Sequence, residues 1–174
     1  MDLHKLPPEL AASAEALPEL VANMETHVPY GAALLARTGG LQVVVDHREQ
    51  RVSEIPLSQG FVFTAWNGRW FEEVAGTELA ARPMLALAQQ LAKTVEVFPS
   101  AEAIDPGPER TAHFSTPCAK DPAALSSKDK LEMCRDLHSR ASKLDPRIVN
   151  VHVRYLETWD SKAFANRAKR LSQN

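Results

Sequence analysis

The side chains best able to do chemistry in this sequence are six histidines, two cysteines and an aromatic and basic group beside one turn. His4, His27, His47, His113, His138 and His152 stand alone, with no HExxH, HxH or similar pair. A zinc centre needs about three or four ligands, commonly supplied by such short-range pairs. Ordinary surface or hydrogen-bonded histidines are therefore expected, and spacing alone leaves open a site assembled in three dimensions. Cys134 falls on the apolar stripe of a predicted helix, which suits a small core residue. Cys118 lies in a predicted loop. A thiol enzyme built on it would need a neighbouring base and a lowered pKa, and no base is identifiable. Gly39-Gly40 precedes a strand rather than a helix, so it is not a phosphate-binding loop. No GxSxG elbow occurs. Trp66, Arg69 and Phe71 remain. A cation against an indole, or an exposed aromatic, is the chemistry of peptide and partner contact, with plain cross-strand pairing as the alternative. No catalytic, cofactor-binding or metal-ligating residue is expected. Arg167, Lys169 and Arg170 form a basic run that nucleic acid could contact, although so few charges more often make a solvated face.

The elements that must position these residues are bounded by composition. At 174 residues, 44% hydrophobic and 24% charged, the chain suits one globular domain. A net charge of -2 gives no basic field to attract nucleic acid, which makes that partner an unfavoured one. No apolar run approaches the roughly 20 residues of a membrane span, and MDLHKLPPEL lacks a signal peptide's apolar centre. A cytoplasmic location with no membrane partner is the expectation.

The chain is organised around Leu41 to Val95. Asn67-Gly68 has the residues of a two-residue hairpin turn, which needs positive φ at both positions. That turn pairs Trp66 with Arg69, Ala65 with Trp70, Phe63 with Glu72 and Phe61 with Val74. Phe61, Phe63, Ala65, Trp70 and Val74 then share an apolar face, and Val62, Thr64, Trp66, Arg69, Phe71 and Glu73 a mixed one. Upstream, Pro7-Pro8 and Pro18 suit the first turns of two short helices or one broken one, with Leu10, Leu17, Leu20, Val21 and Met24 on the apolar side. Tyr30 to Arg37 reads as a strand, Gly39-Gly40 as a turn, and 41–45 with 51–55 as a hairpin closed by DHREQ and ended or edged by Pro56. Downstream, Met84, Leu87, Ala88, Leu91 and Val95 mark an amphipathic helix starting near Pro83. Residues 98–121 carry four prolines and read as a loop, with a short strand near Thr111 to Phe114. Ser126 to Asp129 offers helix-start chemistry, and Leu131, Cys134, Leu137, Ala141 and Leu144 form the stripe of the helix that Asp145-Pro146 stops. A strand around Val151 to Tyr155, a turn at Thr158 to Lys162 and a partner strand from Ala163 to Leu171 finish the chain. The fold class is α+β: a mostly antiparallel sheet covered by helices on one face, in a single domain.

The element order, with YGAALLAR, VVVDHREQRVSEI, GFVFTAWNG, RWFEEVAGTEL and ALAQQLA, and then the DPRI that opens a strand, resembles the N-terminal half of the TldD/PmbA metalloprotease family, also called modulators of DNA gyrase. The resemblance runs from about Leu17 to the end. It makes residues 1–174 one TldD/PmbA-like N-terminal domain: helical start 1–28, sheet and helix 30–95, loop 98–121, helix and terminal strands 122–174. It implies a zinc peptidase of small or unfolded peptides, working as a homodimer or paralogue heterodimer. The family's zinc motif, His-Glu-x-x-x-His with a further cysteine, lies in its C-terminal half. This sequence has no His-Glu pair, so no ligand carries over and no cofactor is expected here. The expectation is a non-catalytic domain of a longer enzyme, inactive alone, that pairs subunits and walls the substrate chamber. The alternative is a stand-alone protein-interaction module using Trp66, Arg69 and the loop from Phe98 to Asp121.

Overall fold

The structure is a computed structural model that describes residues 6–98, 103–117 and 119–174. Among the described residues six strands, mostly antiparallel, form one open sheet in the order β3-β2-β1-β5-β6-β4, and three α-helices accompany it, an α+β arrangement as the sequence leads one to expect. The strands are β1 (Tyr30–Val45), β2 (Gln50–Trp66), β3 (Phe71–Gly76), β4 (Arg110–Phe114), β5 (Val153–Asn166) and β6 (Lys169–Gln173). The helices are α1 (Pro8–Met24), α2 (Ala81–Thr94) and α3 (Ser127–Ser142). β4 joins β6 in parallel, and the β2–β3 and β5–β6 pairings are antiparallel. The chain forms two compact units, one from Met1–Arg37, Ser58–Thr116 and Asp160–Asn174, the other from Thr38–Leu57 and Pro117–Trp159.

In the first unit α1 is one helix with Pro18 inside it, rather than two. A proline in a helix interior costs about 3 kcal/mol. Leu10, Leu17, Leu20, Val21 and Met24 are all buried, and each contributes roughly 1.5–3 kcal/mol, so the packing of the whole stripe outweighs that cost. Met84, Ala88 and Leu91 of α2 complete the layer over Ala33, Leu35, Phe61, Phe63, Ala65, Ala163 and Ala165 of the strands. Pro83 sits in the first turn of α2, where its missing N–H is harmless. The Ser13 hydroxyl ties α1 to the entry of α2 by donating to the Leu79 carbonyl.

The second unit holds a smaller core of Leu41, Val43, Val45 and Cys134, flanked by Leu131, Val153 and Tyr155. α3 starts at a complete capping box between Ser126 and Asp129. Its predicted stripe is only half used: Leu137 is 46% and Leu144 79% exposed, while Lys130, outside that stripe, is buried.

Three predicted breaks are not breaks. β1 runs through Gly39-Gly40. A Cβ on Gly40 would stand 2.2 Å from the Glu157 carbonyl, and one on Gly39 would stand 2.9 Å from the Trp159 ring, so these glycines admit close approach rather than a turn. β2 continues through Pro56, because β3 pairs only with Phe61–Trp66 and leaves Pro56 on a stretch without that neighbour. β5 continues through Thr158–Lys162, and the predicted strand Ala163 to Leu171 instead contains the β5–β6 turn. There the Asn166 Oδ1 accepts from the backbone N–H of Ala168 at 2.9 Å and Lys169 at 2.7 Å, which outweighs the run's strand character.

Candidate functional site

The β2–β3 hairpin carries the expected contact residues, in a different register. Trp66 faces Phe71, Ala65 faces Glu72, Phe63 faces Val74 and Phe61 faces Gly76. The connection is therefore Asn67-Gly68-Arg69-Trp70. Gly68 has φ 105°, but among the described residues none other than glycine has positive φ, so the two-residue turn with Asn67 left-handed does not form. The asparagine acts through its side chain instead. Asn67 is wholly buried, and its Oδ1 accepts from the backbone N–H of Arg69 at 2.9 Å and Trp70 at 3.0 Å. Its Nδ2 donates to Glu72 at 3.1 Å, and its carbonyl accepts from the Phe98 N–H at 2.9 Å. A shift by two residues preserves faces, and so Phe61, Phe63, Ala65 and Val74 still point inward as predicted, without Trp70.

This register separates the three candidate residues. The Trp66 and Phe71 rings meet at 4.8 Å between centroids, with Phe71 50% exposed. Arg69 does not stand opposite Trp66 in the ladder; its guanidinium lies 4.1 Å from the centre of the Phe98 ring, and Trp70 flanks that ring at 5.3 Å. The result is two aromatic groups, Trp66 with Phe71 and Arg69 with Phe98 and Trp70. Such surfaces can bind a protein or peptide but supply no nucleophile or proton carrier.

Ionisable groups gather elsewhere. In the second unit Lys130 donates to both oxygens of Glu157, at 3.0 and 2.9 Å, and Tyr155 donates to the same carboxylate. Burial raises the Glu157 pKa, but the Tyr155 and Lys130 hydrogen bonds outweigh it and hold the carboxyl below its ordinary value. That same bond to Glu157 pushes the Tyr155 hydroxyl up to about 12. Cys134 is a core residue, and burial raises its thiol, the opposite of nucleophile activation. In the sequence the one signal of this cluster is Lys130, a lysine one turn before the stripe residue Cys134. Cys118 and His4 lie outside the described residues.

His47 bonds Asn150 at 2.8 Å, His152 bonds Asp46 at 3.4 Å, and His113 sits between Ser172 at 2.9 Å and Asn174 at 3.0 Å. Each is a hydrogen-bonded histidine as expected. Ser172 is 2% exposed, so the Ser172–His113–Asn174 chain offers no reachable nucleophile. Among the described residues no three His, Cys, Asp or Glu side chains converge as metal ligands, and no helix is long and apolar enough to cross a membrane.

No family model matches the sequence, and no curated protein does. Solved structures do share the fold. A protein described as a modulator of DNA gyrase from Bacteroides thetaiotaomicron superposes with a TM-score of 0.67 at 16% identity, over 92% of this chain and 37% of its own. TldE from Thermococcus kodakarensis gives 0.60 at 13% identity, over 91% and 36%. A protein of the former description from Thermotoga maritima gives 0.57 at 13%, over 88% and 36%. This chain therefore has the fold of TldD/PmbA modulators of DNA gyrase, over 36–37% of the length of those proteins.

Proposed function

We propose that the chain is a non-catalytic, N-terminal-type domain of a TldD/PmbA-like zinc metallopeptidase acting on small or unfolded peptides, where it pairs subunits and walls the substrate chamber. One observation carries this reading: about nine-tenths of the chain is matched by little more than a third of each neighbour, 88–92% against 36–37%. In this reading the remainder of the larger protein supplies the chemistry. The exposed Phe71 beside Trp66 suits pairing, since burying aromatic surface is what drives most subunit association.

Sedimentation of the purified chain tests the pairing role. The expected species has twice the 19.2 kDa of the chain, and Phe71→Asp converts it to a folded monomer whose melting no longer depends on protein concentration. A monomer at every concentration defeats the self-pairing form, and association with a paralogue is then sought by mixing. The second reading, an interaction module without catalysis, is favoured by Arg69, Trp70 and Phe98 forming a second aromatic group. It predicts a reading frame that stops at Asn174 instead of continuing into a histidine and glutamate metal motif.

A further inference from the structure

The β5–β6 turn is held from inside. Asn166 is buried and binds the turn's backbone, and Arg167 at its tip donates to the carbonyls of Pro29 at 3.3 Å and Ile104 at 3.0 Å. β4 joins this turn where the Arg110 N–H donates to the Ala168 carbonyl at 2.9 Å, and its register then sets Thr111 beside Arg170. These contacts gather Glu109, Arg110, Thr111, Arg167, Ala168 and Arg170 around a polar cavity of about 460 Å³. Three arginines thus meet one carboxylate. Arg110 leans over the Phe114 ring at 5.4 Å, and neither Arg110 nor Arg170 forms an ion pair among the described residues.

We propose that this cavity binds a small organic phosphate that carries hydroxyl groups, such as a sugar phosphate. A guanidinium presents a planar fork that matches phosphate oxygens, and an excess of positive charge favours a dianion over a single carboxylate. The cavity lies in the size range of small-ligand sites and exceeds what the anion alone would fill. The Glu109 carboxylate, which can accept but not donate, repels the phosphate but accepts from ligand hydroxyls, and the Thr111 hydroxyl donates or accepts as needed. The parallel strand β4 brings a further arginine to the basic run at Arg167 to Arg170. This assignment is independent of the peptidase reading.

Calorimetry on the 174-residue chain with ribose 5-phosphate, ribose, inorganic phosphate and an oligothymidylate tests it. Ribose 5-phosphate is expected to bind more tightly than phosphate, with ribose silent. Arg170→Ala weakens it by about tenfold or more, the loss of one charge-assisted contact. Glu109→Gln tightens inorganic phosphate while narrowing the advantage of ribose 5-phosphate over it, a sign change that damage to the fold would not produce. Both side chains are exposed, and unchanged thermal melts confirm that the variants fold. No heat at about 10 mM ligand, an affinity untouched by Arg170→Ala, or tighter binding of the oligothymidylate through Arg170 each overturns the proposal.

Discussion

At the scale of residues, two buried polar groups carry more than their types suggest. Asn67 satisfies two backbone N–H groups that would otherwise be stranded, so Asn67→Ala should destabilise by roughly 1–3 kcal/mol in urea unfolding. Asn67→Gly should lose a similar amount. A left-handed Asn67 would have made glycine harmless, and so this substitution separates the observed turn from the predicted one. Lys130 is buried and Glu157 partly so, with side chains 5% and 15% exposed, and they form a largely enclosed pair. Lys130→Met leaves the carboxylate facing a hydrophobe and is expected to cost about 3–5 kcal/mol, most of it recovered in Lys130→Met combined with Glu157→Leu. Asp46 adds a pH signature. The backbone N–H groups of Arg48 and Glu49 hold its carboxyl at about 2, below the ordinary 3.8. Its folded pKa is depressed, so its contribution is complete above the unfolded value and is lost as pH falls through the folded one. Melting temperature should therefore drop between about pH 4 and pH 2 more steeply in the wild type than in Asp46→Asn.

At the scale of elements, Gly40 tests why β1 is continuous. Gly40→Ala drives a methyl into the Glu157 carbonyl at 2.2 Å, whereas Gly39→Ala meets a side-chain ring at 2.9 Å that has some freedom to shift. The Gly40→Ala protein should unfold at markedly lower denaturant than the Gly39→Ala protein; equal losses would point to glycine's chain entropy rather than to close approach. The same pair shows what a sequence can and cannot disclose. The helices were legible because Leu10, Leu17, Leu20 and Met24, and Met84, Ala88 and Leu91, repeat at helical spacing and bury together. The inward face of the hairpin was legible because Phe61, Phe63 and Ala65 alternate. Continuity of the strands was not, since glycine and proline mark a turn only where no partner strand dictates otherwise. Gly39-Gly40 answers to Glu157 and Trp159, far away along the chain. The hairpin register was hidden for a related reason: an asparagine side chain that caps two N–H groups has the same letter as one with positive φ. Of the candidate residues, Trp66 and Phe71 were placed on one face by alternation but not opposite each other, and Phe98, the true partner of Arg69, lay beyond any local rule.

At the scale of the whole molecule, the solved proteins that share this fold are much longer than 174 residues. The chain supplies the fold of 36–37% of those structures, and its own described residues bring together aromatic surfaces and arginines but no metal-ligand group. The most direct test measures zinc content and peptide cleavage side by side on this chain and on the full product of its gene. The expected gene product is longer than residues 1–174, holds about one zinc per chain and cleaves unstructured peptides, with neither property in the chain alone. Stoichiometric zinc or chelator-sensitive cleavage in residues 1–174 by themselves, or a gene that encodes nothing beyond them, would contradict this expectation.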